Sequence, residues 1–421
     1  MRTIGQHRDA VRALVEPVLP SVADVDRSSV VSRGVIDLAV EGGAGHGYPV
    51  LARTAWSPTP LPAFDNSQMD GFAVRAADAG AVLRVVAPVP AGVVPPPLEP
   101  GAAAPIMTGA RIPDGADAVF PVESTPAGAF PAALHEPTVV VPEQLAVGSY
   151  VRRAGSDLPS GQPIASPGRA LTPALLGALA GAGLTAVTVV RRPRVLVVST
   201  GSELLDPSRE RPADLGAGAA IGDANGVALS AALAEVGVET RRVRVTDDLD
   251  GFTDALEDAV GEWADLVLTT GGISAGAYEV VRQALEPRGL VVTPVAMQPG
   301  GPQALGSVEL AGRHVPVIAF PGNPVSALVS FEVFLRPVLA AAVGLPAERP
   351  TQVLPAAESA TSPEGKHQVR RGRVEDGRVH FVGGPSSHLL VHLADATHLV
   401  HVPVGTATVA PGDPLTVWSI R

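Results

Sequence analysis

The sequence predicts a multidomain α/β-plus-β protein, with a central α/β unit built on a parallel sheet, mixed and β-rich segments before it, and a small β-domain after it. Three observations carry that prediction. The chain has 421 residues, too many for one ordinary core and enough for about three domains. Between residues 189 and 345, apolar runs bounded by turn residues alternate with helical patterns, as βαβ units do. Over 61–144 and again over 346–421, short apolar runs are closely broken by Pro and Gly, which suits small barrels or sandwiches.

In chain order, "MRTIGQHRDAVRALVEPVL" reads as a short amphipathic helix and lacks the apolar stretch of a signal peptide. The rest of residues 1–60 is weakly patterned, with a Gly-rich insert, "VEGGAGHGYPV". The segment "NSQMDGFAVR", 66–75, then places an amide, a hydroxyl and a carboxylate (Asn66, Ser67 and Asp70) within five residues, ahead of a short strand at Phe72 to Val74. That is either a decorated turn or part of a site. Residues 150–173 form a polar connector.

The stretch 171–190, "LTPALLGALAGAGLTAVTVV", carries no charge over nearly a bilayer's thickness. Pro173 after Thr172 nevertheless opens it as a helix, and Gly181 with Gly183 splits it into a short helix and a β-branched strand, so a buried helix and strand are expected rather than a span. Three parallel strands follow at 194–200, 264–270 and 314–320, with the helices "GVALSAALAEV", closed by Gly237, and "PVSALVSFEVFLRPVLAAAV" among them.

Composition narrows the function. Hydrophobic residues are 46% of the chain but aromatics only 4%, so the cores are built from Val, Leu and Ala. Gly 45 and Pro 42 cluster between apolar runs, as loops in a folded chain do. A net charge of −11 argues against a general nucleic-acid binder. With Cys 0, disulfides, Cys-zinc sites and thiol catalysis are excluded, and a cytoplasmic setting is expected.

Each parallel strand empties into small polar residues: Ser199-Thr200-Gly201, Thr269-Thr270-Gly271-Gly272 and Pro321-Gly322-Asn323-Pro324. Ligands of open α/β sheets bind beyond the carboxyl ends of the strands, and Asn323-Pro324 reads as a helix cap with proline in the first turn. Together the loops would form a phosphate-compatible rim; singly, each is also what an ordinary βα turn uses. None matches a P-loop or a dinucleotide-binding glycine motif. Carboxylates stand at the same ends: Glu203, Asp223 ahead of Asn225, Asp247, Asp248 and Glu279. Two or three of these with a substrate phosphate would suit Mg²⁺, while surface solvation, or helix capping for the Asp pair, is the plainer alternative.

The ordered segments "FDNSQMDGFAVR", "IMTGARIPDGADAVFPVE", "RRAGSDLPSGQ", "VVSTGSEL", "LTTGGISAG", "MQPGGP" and "FPGNPVSALVSFEVFLRP" resemble those of bacterial molybdopterin molybdenumtransferases, the MoeA family, to which the gephyrin E domain is also similar. The resemblance runs from about residue 56 to the C-terminus; residues 20–50 look unlike the family pattern. It implies a discontinuous mixed α/β dimerisation domain (1–60 and 145–188) with a small β-domain (61–144) inserted, a three-layer molybdopterin-binding domain (189–345) and a C-terminal β-barrel (346–421). It also implies a homodimer with its active site in a cleft between the parallel domain of one subunit and N-terminal elements of its partner.

The implied reaction is Mg²⁺-dependent cleavage of adenylyl-molybdopterin with insertion of molybdate into the dithiolene, giving molybdenum cofactor and AMP. A molybdopterin adenylyltransferase and apo-molybdoenzymes are implied as partners, and neither nucleic acid nor membrane. By the resemblance, Asp70, Thr108, Arg152, Asp157 and Glu203 are catalytic. Asn66, Ser67, Ser199, Thr200, Gly201, Asp223, Asn225, Thr270, Gly271, Gly272, Ser274, Pro321, Gly322, Asn323 and Pro324 hold substrate. Read from their place at the strand ends, Glu203, Asp247, Asp248 and Glu279 are the candidates to hold the metal.

Two departures stand out. Where the family reads Pro-Gly-Lys-Pro after a second Lys, this chain has Gln298-Pro299-Gly300-Gly301-Pro302, so both lysines expected at the molybdate are missing. Gln keeps a hydrogen bond but not a charge. Arg371 with Lys366 or His367, and Ser387, are candidates to replace the lost donors, with Pro302 and Ser326 at the same oxyanion site. Glu279, with Ala277, stands where the family commonly has Asp. A low-activity pterin-binding paralogue and an adenylyltransferase are the competing readings. His388 and His392, spaced i, i+4 among Leu and Val, read as structural rather than metal-binding.

Overall fold

The computed structural model describes residues 1–21, 30–41, 48–205, 221–245, 248–273 and 279–420. The chain divides into two units: Ser32–Ala39 with Leu51–Thr188, and Met1–Val31 with Val40–Val50 and Val189–Arg421.

The first unit is organised around five strands in the order Ala118–Pro121, Gly71–Val74, Ala102–Ile106, Val82–Val85 and Thr138–Val140. Gly71–Val74 is buried along its whole length because both of its faces are covered. Phe72 and Val74 join Leu83, Phe120 and Val139 in one core, while Ala73 joins Val89, Ile106 and Val119 in another. The Phe72 and Phe120 rings stack, 5.5 Å between centroids. The uncharged stretch after residue 171 is a helix, Pro173–Gly181, followed by a strand, Ala186–Val190. Thr172 caps that helix through its side chain with Pro173 in the first turn, as the sequence indicates.

The second unit holds a six-stranded sheet in the order Glu239–Val245, Arg194–Thr200, Leu266–Thr270, Arg313–Phe320, Pro302–Leu310, Val291–Pro294. The first four are mutually parallel, whereas the last two run antiparallel to their neighbours. The sheet is therefore mixed rather than wholly parallel. Its reversal is local: Leu310 pairs with Arg313 across Ala311-Gly312, both at positive φ (51° and 73°), the backbone a tight hairpin requires.

Alternate residues of Arg194–Thr200 face opposite layers. Val195 and Val197 pack with the helices Ile4–Val15, Ala224–Glu235 and the long helix from Pro324, and Leu196 and Val198 pack with Leu249–Val260 and Val280–Leu285. This gives the expected three layers. Pro324–Ala342 is long and apolar enough to cross a membrane, with mean hydropathy 1.7, but 78% of that stretch is buried in the core.

The N-terminal helix, whose sequence is expected with the dimerisation domain, packs on the three-layer unit. Val11 and Val15 are fully buried beside Phe331 and Phe334, and the His7 ring meets Phe334 edge-on at 4.6 Å. The apolar stripe of an amphipathic helix must be covered, and the hydrophobic back of the long helix covers it.

The C-terminal strands follow the order Met297–Gln298, His367–Glu375, His398–Val402, Pro414–Ser419 and Thr351–Pro355, with Arg378–Phe381 also pairing with His367–Glu375. A bridge between Ala356 and Val379 joins the far edge back to Arg378–Phe381, closing the expected barrel. Arg349, leading into the barrel, forks onto Glu332 at 3.0 and 2.8 Å and reaches Glu235 at 2.9 Å. The barrel's first strand is thereby anchored to two helices of the central unit.

Buried imidazoles make stability pH-dependent. Burial, with Arg2 nearby, pushes His7 down to about 4, and burial with His367 and Arg8 pushes His401 down to about 3. Unfolded imidazoles titrate near 6.5, so below that value the unfolded chain takes up protons that the fold refuses. Stability is therefore expected to be fully present above about pH 6.5 and to fall as pH drops toward 4, by about 2 kcal/mol for each of these two histidines at pH 5. Among the described residues neither ring nitrogen of His7 has a hydrogen-bond partner, so His7→Leu removes one titrating group without stranding another. Urea midpoints at pH 7 and pH 5 should differ less in His7→Leu than in the native chain; an equal drop contradicts the assignment.

Candidate active site

In the three-layer unit, the loops beyond the parallel strands enclose a cleft of about 650 Å³. Its lining includes Thr200, Gly201, Glu203, Asp223, Asn225, Thr270, Gly271, Gly272, Glu279, Pro302, Pro321, Gly322, Asn323 and Pro324. Nearly all of the substrate positions expected on this unit therefore converge. Ser199 lies just behind them, and Ser274 and Asp247 fall outside the described residues.

The loops hold one another. Thr200 Oγ1 donates to the Thr270 carbonyl at 3.2 Å, the Gly271 N–H donates to the Phe320 carbonyl at 3.1 Å, and Asn225 Nδ2 donates to the Gly322 carbonyl at 2.7 Å. Gly271 and Gly272 have φ of 85° and 66°, and a Cβ on Gly322 would come within 3.3 Å of Gly271 Cα. Small residues are required here because backbone approaches backbone.

The carboxylates divide by duty. Asp223 is buried; its Oδ1 accepts from the Gly226 N–H at 2.8 Å and from Ser199 Oγ at 3.0 Å, capping Ala224–Glu235. Asp248 caps Leu249–Val260, accepting from the Gly251 N–H at 3.1 Å, and is absent from the cleft lining. Both serve as helix caps, and of the two only Asp223 lines the cleft. Glu203 and Glu279 line the cleft together with Asp223, and Glu203 folds back over Gly201, its oxygens 2.6 and 2.7 Å from where a Cβ would stand.

Among the described residues no Lys or Arg lines the cleft, and no group of three or more His, Cys, Asp or Glu could hold a metal. Two carboxylates beside backbone donors nevertheless fit Mg²⁺, which takes one or two protein carboxylates and completes its shell with water and substrate phosphate.

Of the expected oxyanion residues, Pro302 lines the cleft, whereas Gln298, Ser326, Arg371 and Ser387 are absent from its lining. Gln298 Oε1 accepts from Gln368 Nε2 at 2.6 Å, and Met297–Gln298 runs parallel to His367–Gln368 as a strand on the barrel. Gln368 is a partner that the sequence did not disclose. Ser326 is buried in the first turn of the long helix, where the Val325 N–H donates to the Ser387 carbonyl at 3.1 Å. Arg371 is expected to supply an oxyanion donor, but its guanidinium is committed to the carbonyls of Val382, Gly384 and Ser386. His367 is paired with His401 at 2.9 Å, and burial lowers its pKa.

In the other unit, Asp70, Thr108, Arg152, Asn66 and Ser67 gather around the pairing of Asn66–Ser67 with Val151–Arg152. Asp70 Oδ1 accepts from the Thr108 N–H at 2.7 Å and from Thr108 Oγ1 at 2.9 Å. Ser67 Oγ donates to the Met69 carbonyl at 2.6 Å, and Asn66 Nδ2 to the Phe64 carbonyl at 3.2 Å; both are buried and brace their own loop. Arg152 is exposed, donating to the Gln68 carbonyl at 3.4 Å, and Asp157 is exposed as well. Sequence reasoning missed Asp65, which binds Arg153 at 2.6 Å and the Ala154 N–H at 2.7 Å. Burial raises its pKa, but those two bonds outweigh it and hold the carboxyl below its usual range.

A three-layer sheet with a polar cleft at the carboxyl ends of its strands, joined to a small β-barrel, defines a multidomain protein of the molybdopterin-binding fold. Family models for the MoeA N-terminal region (domain I and II), a probable molybdopterin binding domain and the MoeA C-terminal region (domain IV) match residues 8–183, 196–341 and 353–420. Molybdopterin molybdenumtransferase 2 of Mycobacterium tuberculosis (strain ATCC 25618 / H37Rv) is 41% identical over 389 residues, covering 88% of this chain and 92% of that protein. The molybdopterin molybdenumtransferase of Synechococcus elongatus is 34% identical over 89% of this chain and 92% of its own length. The structure of the molybdopterin biosynthesis MoeA protein from Pyrococcus horikosii superposes with a TM-score of 0.72 at 26% identity, covering 100% of this chain and 99% of that one. The chain belongs to the MoeA family of molybdopterin molybdenumtransferases.

Proposed function

We propose that this protein is a molybdopterin molybdenumtransferase that cleaves adenylyl-molybdopterin and places molybdate in the pterin dithiolene, releasing AMP. The observation that carries the reading is the convergence of three small polar loops, Glu203 and Glu279 on one cleft at the strand ends. Backbone N–H groups of the glycine loops would receive the phosphates. Glu203 and Glu279 would hold Mg²⁺, which when bound neutralises charge on the phosphate anhydride. Asn225, tied to Gly322, keeps two loops in register, and Asp223 fixes the helix whose first turn borders the cleft.

The working molecule on this reading is a cytoplasmic homodimer that receives its substrate from a molybdopterin adenylyltransferase and delivers cofactor to apo-molybdoenzymes. The test is incubation with adenylyl-molybdopterin, Mg²⁺ and molybdate, with AMP and reconstituted apo-enzyme activity as readouts. Molybdate-dependent release of both is expected; tight pterin binding without AMP release refutes the reading.

Asp70→Ala is expected to cost about 1 kcal/mol, since it removes two hydrogen bonds from Thr108, whose exposed donors turn to water instead. Turnover should fall at least about tenfold as the Met107–Ala110 loop loses its anchor. A folded variant with native kcat removes Asp70 from the machinery.

A further inference from the structure

A second concavity, of about 590 Å³, opens in the C-terminal barrel, and none of its lining residues lines the cleft. One wall is a two-stranded ribbon in which Thr361 pairs directly with Thr408. The other follows Arg378–Phe381 and includes Phe381 and Gly383.

Arg370 stands between these walls. Its strand alternates: Val369 enters the core shared with the central sheet, while Arg370 shares the opposite face with Val374, which packs on the barrel core. Arg370 is only 8% exposed, and its guanidinium lies 4.7 Å from the Phe381 ring centroid. Among the described residues its one hydrogen bond is from Nη2 to the Gly383 carbonyl at 3.1 Å, and Nε is buried without a partner. Glu358 lines the same cavity but is committed through Oε1 to the Phe381 N–H at 2.7 Å. Its field favours the charged guanidinium, although burial acts the other way and prevails.

A guanidinium taken out of water without a carboxylate in contact is costly, and a planar fork with donors to satisfy is suited to an oxyanion. The hydroxyls of Ser359, Thr361 and Thr408 line the same cavity and can donate further bonds.

We propose that this cavity is a second oxyanion site, separate from the catalytic cleft, in which Arg370 and the Thr361 and Thr408 hydroxyls hold a small tetrahedral anion or a phosphomonoester group. Occupancy competes with the Gly383 carbonyl for Arg370. The same loop is held by Arg371 through Gly384 and Ser386 and touches the long helix through Ser387. The site is therefore joined by five residues of chain to the first helical turn beside the cleft.

The test titrates the full chain with inorganic phosphate at constant ionic strength, following thermal stability, and soaks crystals in selenate. Native protein should show a saturable rise in Tm and an anomalous peak within hydrogen-bond distance of Arg370. Arg370→Gln should weaken phosphate at least about tenfold, and Thr408→Val, at an exposed hydroxyl, several-fold. If Arg370→Gln does not fold, Thr408→Val and the selenate peak decide. Native phosphate affinity in Thr408→Val together with no peak at Arg370 overturns the proposal, as does the absence of any saturable response in the native chain.

Discussion

Glu203→Gln is expected to leave the fold intact and to lower turnover by about 100- to 1,000-fold. Glu203 is exposed, and its main chain is fixed independently of its side chain, because its carbonyl accepts the Ile221 N–H at 2.9 Å in the short ribbon of Leu204–Leu205 with Ile221–Gly222. A surface change of this kind moves stability by about 0.5 kcal/mol at most. The carboxylate oxygens occupy the space over Gly201 that any side chain there would fill, so Gly201 and Glu203 work as a pair. Gln preserves shape and hydrogen bonding while removing the charge, which isolates the electrostatic contribution. The measurement is AMP release with Mg²⁺ varied: kcat should fall, and the Mg²⁺ midpoint should rise. A variant with native kcat at saturating Mg²⁺ shows that the carboxylate does not serve the metal.

The strand ends were legible in the sequence because the physics there is local. An apolar run that must be buried on both faces, followed at once by Thr-Gly or Pro-Gly-Asn, leaves little choice of structure. The duties of Asp223 and Asp248 were also written locally; capping was the plainer alternative for the Asp247–Asp248 pair, whereas for Asp223 it went unread. In Asp223-Ala-Asn-Gly226 and Asp248-Leu-Asp-Gly251 the acid stands three residues before a glycine whose N–H it accepts, the spacing of an N-cap. The antiparallel edge had a comparable signal in Ala311-Gly312. Arg371 was different. Its side chain is taken up by carbonyls of a loop eleven to fifteen residues away, and no pattern within the strand announces that. The same holds for Gln368, which meets Gln298 only because the barrel docks on the central unit. The N-terminal helix lies between these cases. Its stripe of Val11 and Val15 marks a buried face, but the partner face is 320 residues away in sequence, on the long helix.

Gly71→Ala is expected to unfold the first unit, at about 3 kcal/mol or more, and explains why an aspartate in this chain stands before a glycine. A Cβ on Gly71 would overlap the Phe120 carbonyl oxygen and approach Val119 Cγ1 at 3.1 Å. Neither neighbour can give way: Gly71 pairs with Pro121 on one side and Ile106 on the other, and Phe120 is locked by its stack on Phe72 within one core. The conformation itself is ordinary extended strand, so the penalty is steric rather than torsional. That separates it from the many glycines here at positive φ. Because the Asp70 carbonyl accepts the Val122 N–H at 3.1 Å, the same close approach sets where the Asp70 carboxylate meets Thr108. The variant should therefore lose the Phe72–Phe120 core and the Asp70 loop together. Near-ultraviolet dichroism and limited proteolysis should report an open segment within 51–188 while the three-layer unit stays folded. Native protease resistance of that segment would show that the strand can shift to admit a methyl group, and the tight packing inferred between Gly71 and Phe120 would be wrong.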